Sequence, residues 1–222
     1  MSVVRPEYGP TLLELLAPRV RALGRRGRLA VGVGVVLLAT GVVAALGLRD
    51  GDGRRTIVVE RPIAFNLLAP AALDRVAPAS GEVLRLRTVT GAPDPQRLTV
   101  RPLRLAPYTG DVSAALALLS VRLIEEMRRT VPGFVWRGDG RARINDAPGY
   151  QIVYQATVGG RTTYGRRVLL FPDPGDGPPP REGLDVDARA ARSLAVPSVD
   201  TVGRNGALKL PLASLRFGRE RP

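Results

Sequence analysis

Residues 147–171 read APGYQIVYQATVGGRTTYGRRVLLF. Tyr150, Ile152, Tyr154, Ala156 and Val158 alternate with Gln151, Gln155 and Thr157, the period of a strand covered mainly on one face. A second strand, from Thr162 to Phe171, follows Gly159 and Gly160. If those two glycines are the whole loop, Ile152 pairs with Arg167 and Tyr154 with Gly165. A three-residue loop instead pairs Tyr150 with Leu170, Ile152 with Val168 and Ala156 with Tyr164. The second register sets apolar against apolar and is the expected one, because register follows the buried face.

Upstream of this hairpin the pattern holds one well-marked helix. Asp111 is a good N-cap, Val112, Ala115, Leu116, Leu119, Leu123 and Met127 recur on one face, and Pro132-Gly133 closes the run. Glu125 and Glu126 are neighbours in its last turns. Adjacent helical positions do not share a face, so they read as solvated surface rather than a carboxylate dyad. Before the helix, Thr56–Leu68, Glu82–Thr90 and Leu98–Leu105 read as strands, with 70–76 a helical turn between the first two. Pro102 marks an edge or a bulge. After the helix, Gly138-Asp139-Gly140 reads as the turn between strands 134–137 and 141–145. Residues 172–180 form a Pro/Gly/Asp loop, and 182–194 can form a helix. Strands on both sides of one long helix, without βαβ periodicity, predict an α+β fold: an antiparallel sheet flanked by helices.

Residues 29–48, LAVGVGVVLLATGVVAALGL, carry no charge and one polar side chain, Thr40. As a helix they reach about 30 Å, the thickness of a bilayer's hydrocarbon core. A cleaved signal peptide is the competing reading, with Val43-Ala44-Ala45 as a passable cleavage site, but the run is longer than the usual apolar region of such a peptide and 28 residues precede it. The expected layout is therefore a cytoplasmic basic head (1–28), a transmembrane helix (29–48), a linker (49–55) and an extracytoplasmic domain (56–218). Arg19, Arg21, Arg25, Arg26 and Arg28 before the span outnumber Arg49, Arg54 and Arg55 after it, which places the N-terminus in the cytoplasm. Thr11-Leu12-Leu13-Glu14 opens a short amphipathic helix in the head, suited to lie on anionic lipid.

The chain has neither cysteine nor histidine. Disulfides, thiolate nucleophiles, Ser-His-Asp triads and His- or Cys-based metal sites are thereby excluded. The net charge is +13, but the arginines are scattered and the aromatic platform of a nucleic-acid binder is missing. The segment after the apolar run holds 27 basic and 18 acidic residues. That field favours anionic envelope polymers or lipid head groups.

FNLLAP at 65–70, the helix at 111–130 followed by the 147–171 meander, and ASLRFG at 213–218 together resemble the PsbP/Mog1-like family of α/β/α sandwiches. The resemblance spans roughly 56–218. Leu215 stands where the family's closing motif has an aromatic. It implies a binding or assembly module without a shared active site, and many bacterial relatives are membrane-tethered. The expected function is thus a membrane-anchored module of the bacterial cell envelope, not an enzyme and without cofactor or metal. Its partners would be membrane lipid and an envelope protein or anionic polymer, with Tyr108, Trp136 and Tyr164 as candidate contacts. The alternative is a hydrolase, such as a glycosidase, using carboxylates alone, with Glu60, Asp111, Asp139 and Asp146 as candidates.

Overall fold

Alternation of apolar and polar side chains along seven strands builds the main sheet of the computed structural model, which describes residues 53–220, Asp176 excepted. The chain divides after Asp52 into two units, and the account below concerns the second. The span at 29–48 and the head helix lie outside the described residues. Among the described residues no helix is long and apolar enough to cross a membrane.

The strands are β1 (Arg55–Val59), β2 (Phe65–Ala69), β3 (Leu73–Val76), β4 (Leu84–Thr88), β5 (Gln96–Arg104), β6 (Val135–Ile144), β7 (Ala147–Val158), β8 (Arg161–Leu170), β9 (Glu182–Ala191) and β10 (Arg216–Phe217). The helices are α1 (Val112–Thr130) and the short α2 (Lys209–Ser214). The main sheet runs β3-β4-β5-β9-β8-β7-β6, with every neighbouring pair antiparallel. A second sheet, β1-β2-β10, is also antiparallel. The fold is therefore α+β and rich in sheet. Its two outer layers differ from the expected pair of helical layers: α1 covers one face, and the small sheet with α2 covers the other.

The small sheet and α2 share a core that runs across most of the main sheet, whereas α1 covers one side of the other face. On one face Leu84, Leu86, Leu98, Val100, Val168, Leu170, Leu184, Val186, Ala188 and Ala190 meet Phe65 and Leu67 of β2 and Leu212 of α2 in one continuous core. On the opposite face α1 lies over β6 and β7. Leu116 and Val112 pack on Leu169 and Phe171, while Met127 packs with Tyr154 and Ala156. The helix has the bounds and the inward face that its spacing predicts, and Glu125 and Glu126 are exposed. The resemblance motifs at the two ends of the domain are hydrogen-bonded neighbours, with Phe217 opposite Phe65 and Arg216 opposite Asn66.

Five expectations are corrected. The β7–β8 hairpin takes the two-residue loop, Val158 opposite Arg161, so Ile152 pairs with Arg167 and Tyr154 with Gly165. Gly159 and Gly160 both have positive φ, 56° and 74°, the backbone a tight hairpin turn demands. Residues 182–191 are not helix but β9, in the centre of the sheet. Residues 73–76 are strand, not a helical turn. Gly138-Asp139-Gly140 is no turn; it lies inside β6, beside a bulge, and the chain reverses at Asn145, whose φ is 50°. The single strand expected over 56–68 is the β1–β2 hairpin. Pro102, by contrast, sits where an edge was expected: β4 ends opposite Val100, leaving β9 as its one neighbour.

Candidate functional site

The half of the sheet that α1 leaves uncovered is patterned by charge. Side chains of alternate residues point to this face, and the cross-strand registers order them in rows. In one row Arg101 of β5 is opposite Asp185 of β9. In the next, Arg85, Thr99, Asp187 and Arg167 succeed one another across β4, β5, β9 and β8. In the row nearest the β4–β5 loop, Arg87, Arg97 and Arg189 stand side by side on β4, β5 and β9, followed by Gly165 and Tyr154.

Two buried carboxylates hold the centre. Asp185 accepts two bonds from Arg167, at 2.8 Å from Nε and 2.6 Å from Nη2, a two-point clamp. Asp187 accepts one bond from the Tyr154 hydroxyl (2.7 Å) and one from Arg189 Nε (2.7 Å). Burial opposes the charge on Arg167, yet its bonds to Asp185 and the nearby Asp187 outweigh that cost and raise its pKa. The Tyr154 phenol is pushed well above its ordinary range by burial first and by the Asp187 charge second. Its ring lies beneath Arg189, 5.6 Å from guanidinium to ring centre. Gly165 makes room for that ring, since a Cβ there would fall inside it. Here lies the reason for the hairpin register: glycine opposite tyrosine and arginine clamped to aspartate satisfy this face, which apolar matching alone would not.

At the rim Glu82 accepts from Arg85 Nε (2.7 Å) and Arg101 Nη2 (3.2 Å). Arg85, Arg101, Arg167 and Arg189 thus each have a carboxylate partner. Arg87 and Arg97 have none among the described residues; the Arg87 guanidinium is within 3.5 Å of Thr90 Oγ1. Burial, and then the charge of Arg189 alongside, hold Arg97 below the usual arginine range. A cleft of about 580 Å³ opens over this row. It is lined by Arg87, Arg97, Arg161 and Arg189, by Val89 and Ala92 from the β4–β5 loop, and by Val158 at the β7–β8 turn, with no carboxylate in its wall.

The residues singled out from sequence lie elsewhere. The Tyr108 hydroxyl donates to Pro180 O (3.0 Å), and its ring packs beside α1. Trp136 is exposed on β6 and donates to Asp139 Oδ1 (3.1 Å), whose other oxygen accepts from Tyr150 (2.6 Å). Tyr164 packs against the aliphatic core on the opposite face. The three aromatics are not brought together. Among the carboxylates, Glu60 follows β1, Asp111 lies 3.8 Å from Arg141, and Asp146 is in the β6–β7 turn. The pair that does share a buried face, Asp185 and Asp187, is not among the residues the sequence singles out, because 182–194 reads locally as helix. The available signal was Leu184-Asp185-Val186-Asp187-Ala188-Arg189-Ala190, a strict alternation.

No protein-family model and no curated protein matches this sequence. Solved structures do match. LpqN, involved in cell envelope biogenesis of Mycobacterium tuberculosis, aligns over 77% of this chain and 94% of its own, with 14% identity and a TM-score of 0.50. The cyanobacterial PsbP from Synechocystis aligns over 75% of this chain and 93% of its own, with 10% identity and a TM-score of 0.48. At 14% identity the likeness to LpqN shows a shared fold. A fold is a scaffold, and what it does is decided by its surface. Among the described residues the arginine row is the surface that stands out.

Proposed function

We propose that this protein is a binding module of the bacterial cell envelope, tethered by residues 29–48 with its PsbP/Mog1-like domain on the outer side, and that it binds rather than catalyses. The observation that carries the reading is the cleft walled by Arg87, Arg97, Arg161 and Arg189 without a carboxylate. Concentrated positive charge in a concave site attracts an anionic envelope component. The chemistry needed for a glycosidase has less support. Asp185 and Asp187 share a face, but Arg167, Arg189 and Tyr154 occupy their oxygens, and neither carboxylate lines the cleft. LpqN, whose fold this domain shares, is itself involved in cell envelope biogenesis. Trp136, exposed on the edge strand β6, remains the aromatic best placed for a second contact.

The test is photo-crosslinking in native membranes from Thr90 and Val158 at the cleft, with exposed Leu118 on α1 as control. A product formed from the first two positions and not from the third supports the module. Equal labelling from all three refutes a cleft-centred function. Release of the full chain from membranes by carbonate refutes the tether.

A further inference from the structure

Arg87, Arg97 and Arg189 are directly opposite one another on three neighbouring strands. Strands lie about 4.8 Å apart, and like charges facing each other across a ladder destabilise it. Asp187 compensates Arg189. Arg87 has Asp74 opposite it on β3 but no ion pair with it, Arg97 has no carboxylate partner among the described residues, and Arg161 at the adjacent turn adds a fourth guanidinium to the same cleft. A row of this kind relaxes when an anion enters, and the guanidinium fork matches phosphate oxygens two at a time. The cleft is not uniformly polar. Val89 and Val158 stand at its wall 48% and 51% exposed, with Ala92, Pro95 and Ala191 beside them. Cationic floor and apolar rim together describe a receptor for an amphiphile.

We propose that the cleft binds the phosphate ester of an anionic phospholipid head group, Arg87, Arg97 and Arg161 engaging the phosphate while Val89 and Val158 meet the first apolar groups of the lipid. This rests on the binding-module reading and gives its ligand a chemical class. The test uses the full chain in a neutral detergent and three probes: dioctanoyl phosphatidylglycerol, dioctanoyl phosphatidylcholine and glycerol 3-phosphate. Calorimetry is expected to show phosphatidylglycerol bound at least tenfold more tightly than either of the others, with affinity falling as salt rises. R97Q and R161Q are each expected to weaken that binding about tenfold. R97Q should leave the unliganded melting temperature equal or higher, because it removes a repulsive neighbour; a merely structural Arg97 would lower it. V158S should narrow the gap between phosphatidylglycerol and glycerol 3-phosphate. R161Q alters an exposed turn and keeps the test open if R97Q does not fold. Equal binding of free glycerol phosphate and the lipid overturns the proposal, as does unchanged affinity in both arginine variants. If lipid binding fails while crosslinking from Thr90 still captures an envelope protein or polymer, the module stands and the lipid assignment falls.

Discussion

The two halves of one sheet face obey the same two-residue period and reach opposite chemistries. Under α1 the inward positions of β7 are Tyr150, Ile152, Tyr154 and Ala156, and the last three are buried. Across the open half they are Arg85 and Arg87 on β4, then Arg97, Thr99 and Arg101 on β5. Between them runs a seam, Asp185 and Asp187 with Arg167 and Arg189, in which the two carboxylates are only 6% and 5% exposed. The seam lets one sheet carry both. On the covered side burial of each large apolar side chain contributes roughly 1.5–3 kcal/mol. On the open side each guanidinium needs a counter-charge, and β9 and Glu82 supply one to Arg85, Arg101 and Arg189 but not to Arg87 and Arg97 of the last row. The last row is therefore where stability has been given up, and where a ligand has most to restore.

The strongest way to break the comparison is to cut the seam. D185A leaves the Arg167 guanidinium in a largely dry site without its two-point partner, and the expected loss is about 3–5 kcal/mol by urea unfolding. An unchanged midpoint would show that the two halves do not depend on it. G165A is expected to cost about 1–3 kcal/mol, because a methyl group at 165 competes with the Tyr154 ring for one volume. Combining it with Y154L should recover part of that loss, since the overlap is what matters. Y154F removes one donor from Asp187 and should cost about 1–2 kcal/mol at neutral pH. It should also change the alkaline limb. The folded-state phenol titrates well above 10 because it is buried beside Asp187, so its contribution is complete below pH 10 and is lost as pH rises through the folded value. In Y154F that part of the alkaline loss should be missing from a stability-versus-pH curve.

How much of this was legible in the chain depends on how local the information is. Helix α1 was, because its cap, its apolar spacing and its Pro-Gly stop all lie within one stretch. The β7–β8 hairpin is legible as a hairpin, but its register is not. Matching apolar to apolar overlooks one fact held in another strand, that Asp185 of β9 clamps Arg167, and one inside the hairpin, that Gly165 leaves space for the Tyr154 ring. Strand β9 is hidden for a related reason. Asp, Ala and Arg have little strand preference of their own, and only packing between β5 and β8 makes them strand. The glycines at 138 and 140 read as a turn, whereas β6 absorbs them beside a bulge. The arginine row was out of reach altogether. Residues 87, 97, 161 and 189 share no motif, and they meet only once the order β4-β5-β9-β8 is known.

The smallest expected effect concerns the open half alone and separates its compensated arginines from its uncompensated ones. Glu82 sits between β3 and β4 and accepts from Ala79 N (3.1 Å) as well as from Arg85 and Arg101. The hydrogen bond from Arg85, opposed by burial and aided by the Ala79 amide and both guanidinium charges, holds its carboxyl below the ordinary value near 4.5. A depressed carboxylate contributes stability that is whole above its unfolded pKa and disappears as pH falls through the folded one. Native protein should therefore lose this contribution in the acid range below about 4.5, and E82Q should follow a shallower acid limb while losing a little stability at pH 7. If the open half is a site for an anion, E82Q should at the same time tighten phosphatidylglycerol binding, since Arg85 and Arg101 are then released toward the cleft side of the sheet. An acid limb identical to wild type would mean that Glu82 is not what steadies this half. Weaker lipid binding in E82Q would mean that the paired arginines, and not the bare row, hold the ligand.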